Sequence, residues 1–208
     1  AVTIAAAPPP DLPDLLAGMA RGTTLGTLAF SERGSRSHFW APVSIATASG
    51  STVRLHADKS WVTSAAHADV YVVSTGTPSG VPGEVDLYAV PAGTPGLNVA
   101  GPWRGLGLRG NDSAPMTVDA DIPAGYRLGG PAAGFALMME TVLPWFNLGN
   151  AAVSLGLASA ATRAAVEHVG AARLEHLAHS CAAAPDLRRL LPPMAITLHS
   201  ARRYLRHH

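Results

Sequence analysis

A chain of 208 residues is long enough for one large domain or two small ones with a real core. Its residues are 48% apolar and only 14% charged, which excludes a disordered tail. The net charge is +1 and no basic run is interleaved with aromatics, so nothing points to a nucleic-acid partner. Arginine supplies nearly all the positive charge, and Lys59 is the only lysine. The single cysteine, Cys181, rules out an intrachain disulfide and a multi-cysteine metal site, and fits a reducing cytoplasm.

In chain order, residues 1–7 are apolar but short and lack a basic flank, so they do not read as a signal peptide. Pro8-Pro9-Pro10 is a stiff spacer before a short helix predicted over 12–20. From 22 to 130 the texture is that of strands. Apolar runs at 25–30, 42–47, 52–56, 61–62, 70–74 and 85–90 are separated by Gly, Ser, Pro and Asp. Val43, Ile45 and Thr47 alternate, as do Val53, Leu55 and Ala57, across Ala48-Ser49-Gly50-Ser51, which predicts a hairpin.

After Gly130 the texture becomes helical. Residues 131–161 are apolar for most of their length, but Glu140, Pro144, Asn147 and Asn150 favour a buried bundle helix over a membrane span. Ala158, Ala161, Ala165, Val169 and Ala172 share a face in a helical stretch ending near His179, with Arg163 and Glu167 outward. Pro185 opens a last helix that Pro192-Pro193 is expected to interrupt before it resumes over 194–205. The plan is therefore α+β: a spacer and short helix (1–21), an antiparallel β-barrel or sandwich domain (22–130), and an incomplete α-helical bundle (131–208). An unfinished bundle implies that another subunit, or further chain, covers its apolar stripe.

Four segments, in order, resemble the acyl-CoA dehydrogenase family. Leu28-Ala29-Phe30-Ser31-Glu32-Arg33-Gly34-Ser35-Arg36-Ser37-His38 is similar to the family's flavin loop, T-E-P-G-A-G-S-D. Lys59-Ser60-Trp61-Val62-Thr63-Ser64 resembles K-x-W-I-T-N/S. Leu106-Gly107-Leu108-Arg109-Gly110-Asn111-Asp112-Ser113 resembles L-G-x-R-x-S-D-T/S, and Asp121-Ile122-Pro123 followed by Gly134-Phe135 resembles the V-P…G-x-G-F passage into the C-terminal helices.

The resemblance implies an FAD-dependent oxidoreductase that oxidises the α,β bond of acyl-CoA or another acyl thioester. In the family a carboxylate removes the α-proton while flavin N5 accepts the β-hydride. It also implies FAD held by Phe30, Ser31, Ser37, Trp61, Val62 and Thr63, with Ser37 near the thioester and Trp145 and Phe146 lining the acyl pocket. Trp61 offers a rigid aromatic face, and the hydroxyls of Ser31 and Thr63 suit ring heteroatoms. The implied protein is a homo- or hetero-oligomer.

The sequence also departs from the family. Arg33, Arg36 and His38 stand where Pro, Gly and Asp are usual, so the loop path is expected to differ at Arg36. No catalytic base is visible. The stretch Leu143-Pro144-Trp145-Phe146-Asn147, where one subgroup places its glutamate, has no carboxylate, and Glu140 lies a turn upstream. Arg173-Leu174-Glu175-His176-Leu177 keeps only the Arg of the R-x-x-F-G motif. His168, His176 and His179 lack a carboxylate partner at metal-site spacing and predict no metal. Two alternatives share the fold: a non-catalytic or partner subunit, and a flavin-dependent monooxygenase.

Overall fold

A computed structural model describes residues 1–35, 38–101, 104–174 and 179–207. The chain divides into two compact units, Ala1–Leu143 and Pro144–His208. The first is built on seven strands: β1 (Gly26–Ala29), β2 (Thr47–Ser49), β3 (Thr52–Val62), β4 (Val70–Gly76), β5 (Val85–Pro91), β6 (Leu97–Val99) and β7 (Ala114–Pro123). They form two sheets, ordered β1-β4-β5 and β2-β3-β7-β6. The α+β class holds, and every pairing in these two sheets is antiparallel except β1 with β4, which is parallel.

The two sheets differ because their surroundings differ. β3 and β7 alternate buried and exposed residues, so Val53, Leu55, Ala57, Met116, Val118 and Ile122 point inward while polar residues face water. β4 and β5 are buried almost continuously. Tyr71, Val73, Tyr88 and Val90 pack against the inward face of the other sheet. Val70, Val72, Leu87 and Ala89 pack on the opposite side against Ile4, Leu128, Met138 and Val142. Ile4 comes from α1 (Val2–Ala6), which precedes the second short helix, α2 (Leu15–Ala20). Each fully buried Leu or Ile in this double core contributes roughly 1.5–3 kcal/mol.

The predicted hairpin is present but shorter. Thr47, Ala48 and Ser49 pair with Arg54, Val53 and Thr52, and Gly50 takes the positive φ of 60° that the turn requires. Val43 and Ile45 do not continue it and are exposed. They are diverted because residues 44–46 bridge Gly76 of β4 in parallel: Ala46 N–H donates to Gly76 O at 3.0 Å, and Gly76 N–H donates to Ser44 O at 2.7 Å. β7, whose strict alternation is legible in retrospect, is the longest strand absent from the predicted runs.

Chain passage out of the sandwich is anchored by buried Asp86, which accepts the Ala132 amide at 2.8 Å and the Tyr88 hydroxyl at 3.0 Å. Burial, then the Asp86 charge, raises the Tyr88 hydroxyl well above its ordinary pKa. Next comes α3 (Gly134–Ala136), then a π-helical turn over Leu137–Val142. Pro144 has no amide to give Glu140 in the α register, which favours the wider turn here. Gly134 packs so close to β5 that a Cβ would lie 2.6 Å from the Val85 carbonyl oxygen. Gly134→Ala is therefore expected to destabilise the protein by about 1–3 kcal/mol, read as a lower denaturant midpoint with an unchanged slope.

The second unit holds the remainder of α4 (Leu143–Ala171), a strand pair β8 (Arg173–Leu174) and β9 (His179–Ser180), and α5 (Pro185–His207). On α4 beyond Leu143 the half-buried positions are Ala151, Leu155, Ser159, Thr162, Ala165 and Val169, at helical spacing, and Arg202 of α5 donates to Ser159 Oγ at 2.5 Å. Ala158 and Ala161 fall on the exposed side, so the predicted apolar face is rotated from the observed one. The helix also ends before Ala172 rather than near His179; Arg173 and Leu174 pair with Ser180 and His179. Pro192 and Pro193 do not interrupt α5. The carbonyls of Arg188 and Arg189 lose their helical donors, but both residues are exposed and water can replace those bonds. No described helix is long and apolar enough to cross a membrane.

Candidate functional site

The first two motif segments are joined by one buried ion pair. Lys59 continues the inward face of Val53, Leu55 and Ala57, so its side chain enters the sandwich, where it is 0% exposed. Its ammonium donates to Glu32 Oε1 at 2.6 Å, to the Ser74 carbonyl at 2.5 Å, and to Ser74 Oγ at 3.2 Å. Glu32, 3% exposed at its side chain, uses Oε2 to accept the Val43 and Ser44 amides at 2.6 and 2.8 Å. Its Oε1 also accepts the Ser44 hydroxyl at 2.5 Å. Burial alone would raise Glu32, but the Lys59 charge and the bonds from Lys59 and Ser44 together hold it below the ordinary carboxylate value. Burial pushes Lys59 down to about 8, against the opposing pull of Glu32. Both groups are ionised at neutral pH, and every proton of the ammonium has an acceptor within reach.

This pair lays the loop after β1 alongside β3. The Ser60 amide donates to Ser31 O at 2.8 Å and the Arg33 amide to Asp58 O at 3.4 Å. Beyond Lys59 the ladder with β7 slips: Lys59 pairs with Met116, but the next pair is Val62 with Ala114. The bulge turns Trp61 out of the strand's alternation. Trp61 sits at φ 55°, in the left-handed region, and is 63% exposed. Such a conformation costs an L-residue about 1–2 kcal/mol. Bulges and strained non-glycine residues are over-represented beside functional sites, and Ser64, Leu108, Asp112 and Ala132 share the left-handed region.

The predicted residues separate into those that can meet a ligand through side chains and those that cannot. Trp61 and Thr63 are exposed and Ser31 is half-buried, and the loop–strand pairing sets Ser31 against Ser60, the residue before Trp61. Thr63 is tied to β1, its carbonyl accepting the Thr27 hydroxyl at 2.6 Å. Phe30 and Val62 are buried in the two cores, so only their backbone can serve. Ser37, like Arg36, lies outside the described residues. His38 is exposed and packs edge-on against Trp40, ring centroids 5.1 Å apart.

The third motif segment buttresses the second. The Ser64 amide donates to Asn111 O at 2.8 Å, the Ala65 amide to Asp112 O at 3.1 Å, and the Ala66 amide to Asp112 Oδ2 at 3.0 Å. The Tyr71 hydroxyl closes the same turn by donating to Ala65 O at 2.5 Å. Arg109 is exposed and Ser113 is buried, consistent with a loop-shaping part for this segment. Trp145 and Phe146, on the first turn of the second unit, are both exposed, and Glu140 is exposed on the π-helical turn of the first. Residues 175–177 of the degraded R-x-x-F-G segment lie outside the described residues.

Sequence reasoning missed the linkage itself. Glu32 and Lys59 were legible only as letters of two motifs. The available signal was that the single lysine falls on the inward register of β3, where an unpaired cation could not stay.

A β-sandwich that presents a strained aromatic on a bulged edge, followed by long helices, defines a segregated α+β protein. Residues 27–120 match the family model described as the acyl-CoA dehydrogenase middle domain. A probable acyl-CoA dehydrogenase of Bacillus subtilis is 30% identical over 156 residues, covering 74% of this chain and 41% of that protein. The human mitochondrial short-chain specific acyl-CoA dehydrogenase is 34% identical over 149 residues, covering 71% and 36%. The crystal structure of a probable acyl-CoA dehydrogenase from Mycobacterium abscessus superposes with a TM-score of 0.89 at 25% identity, over 99% of this chain and 54% of that one. The chain belongs to the acyl-CoA dehydrogenase family and spans about half, or less, of the length of the relatives it matches.

Proposed function

We propose that this chain is the flavin-binding part of an acyl-CoA dehydrogenase-like oxidoreductase that binds FAD and takes an acyl thioester as substrate. The observation that carries the reading is Trp61, held exposed at positive φ on a bulge beside Thr63 and Ser31. A core tryptophan has no need of that conformation; a platform for a flat heteroaromatic ring does. The donor set fits FAD: Trp61 covers the ring, and the hydroxyls of Ser31 and Thr63 hydrogen-bond its polar edge. Bound FAD supplies the hydride acceptor for oxidation of the α,β bond. Trp61 shields that ring from water, while Ser37 is assigned to the thioester and Trp145 and Phe146 to the acyl chain. This reading is accompanied by a cytoplasmic location and by an oligomer, whose packing would cover the exposed Val153, Leu157 and Val166 of α4.

A second reading, a non-catalytic or partner subunit with the same fold, is favoured by one observation: residues 143–147 hold no carboxylate to remove the α-proton. The two readings separate in one titration. With another subunit supplying the base, the FAD-reconstituted protein, challenged anaerobically with a panel of acyl-CoA thioesters, is expected to lose its long-wavelength flavin absorbance with at least one of them. Stable yellow protein across the panel would count against the dehydrogenase, and protein that takes up no FAD would sink the flavin reading and favour the non-catalytic subunit.

A further inference from the structure

We propose that Glu32 and Lys59 form a positioning pair, whose task is to fix the Trp61 platform rather than to hold the fold; the proposal rests on the flavin reading above. The pair is an expensive way to stabilise a sandwich. Burying two charges costs desolvation that their attraction can fail to return, and well-packed apolar replacements of both are often neutral or stabilising. What the ion pair supplies, and apolar groups do not, is direction.

Its bonds tie several segments together. Glu32 holds the loop after β1 to residues 43–44, and Lys59 holds β3 to Ser74 of β4 and to the carbonyl of Phe30 at 3.4 Å. The bulge begins at Lys59 itself, since the last regular ladder pair is Lys59 with Met116. The pair therefore sets where regular pairing stops, and Trp61 follows two positions on. It also sets the height of Ser31, whose carbonyl takes the Ser60 amide between Lys59 and Trp61. A side chain held at φ 55° stays there only if its flanks are fixed. Among the described residues this is the ion pair with both partners buried; the others have an exposed or half-exposed member.

The test compares Glu32→Gln, Lys59→Met and the double variant Glu32→Gln/Lys59→Met in the full chain. Three readouts are taken: the denaturant midpoint, the Kd for FAD, and the Trp61 emission, isolated by subtracting each protein's Trp61→Phe counterpart. The single variants are expected to lose both stability and FAD affinity. The double variant is expected to recover its midpoint yet bind FAD about tenfold more weakly, the scale of one lost charge-assisted bond, with Trp61 emission still displaced. Recovery of affinity and emission together with the midpoint would overturn the proposal, making the pair structural only. If the double variant fails to fold, Glu32→Gln alone decides. It keeps an acceptor for Ser44, so displaced Trp61 emission in a folded protein supports positioning, and native emission refutes it. The emission readout needs no flavin. Wild-type protein that binds no FAD would thus sink the flavin reading while leaving the geometric claim to be judged on Trp61.

Discussion

Lys59→Met should lower the unfolding free energy at neutral pH by about 3–5 kcal/mol, because it leaves a carboxylate buried without its counter-charge. Glu32 would keep the Val43 and Ser44 amides and the Ser44 hydroxyl, but lose the 2.6 Å ammonium contact. The pH dependence carries a sharper signature than the loss itself. In the native pair, Glu32 lies below its ordinary value of 4.5, so the unfolded chain takes up the proton first as pH falls. That contribution is complete above pH 4.5 and is lost as pH drops through the folded value. In the variant, burial is no longer opposed by Lys59 and raises Glu32 instead. The folded variant then binds the proton more tightly than its unfolded chain, so its Glu32 contribution is complete below pH 4.5 and is lost as pH rises through the raised folded value. The stability gap between wild type and variant should therefore be widest near neutrality and close in acid. Denaturant midpoints measured from pH 3 to 8 would check this, and a gap independent of pH would rule out an ionised Glu32 as its cause.

That behaviour also marks where the sequence was informative. The change from strand texture to helical texture near Gly130 is written in composition and period, and so is the alternation of β3. The parallel pairing of β1 with β4 is not, because pairing between distant strands depends on which faces both cores must cover. The diversion of Val43 and Ile45 from the predicted hairpin has a similar cause. Their own alternation favours continuation, but the Glu32 carboxylate, eleven residues away along the chain, takes the Val43 amide. At the site, Trp61 and Thr63 could be singled out by their motif, yet the exposure of Trp61 could not, since a strand tryptophan is ordinarily core. The side chains of Phe30 and Val62 went the other way, into the two cores, because they fall on the inward register. Propensity alone predicts a break at Pro192 and Pro193, whereas their fixed φ is compatible with a helix whose freed carbonyls face water.

Trp61→Gly separates the two costs that meet at this residue. If Trp61 were a core residue, its removal would cost several kcal/mol. It is 63% exposed, so little burial is lost, and glycine adopts φ 55° without the penalty of about 1–2 kcal/mol that tryptophan carries there. Against that stands the extra backbone entropy of glycine, about 0.5–1 kcal/mol. The unfolding free energy is thus expected to stay within about 1 kcal/mol of wild type. FAD affinity should fall by about 1–3 kcal/mol, the value of one aromatic stacking face, or roughly five- to 150-fold. Trp61→Phe, which keeps a ring and the strain, should give the reverse balance: most of the affinity with no relief of φ. Equilibrium unfolding and flavin-fluorescence titration on the three proteins measure both quantities. A large stability loss in Trp61→Gly with FAD binding intact would show that the bulge serves the fold. Retained stability with FAD binding lost would show that the strain at φ 55° is maintained for the ligand.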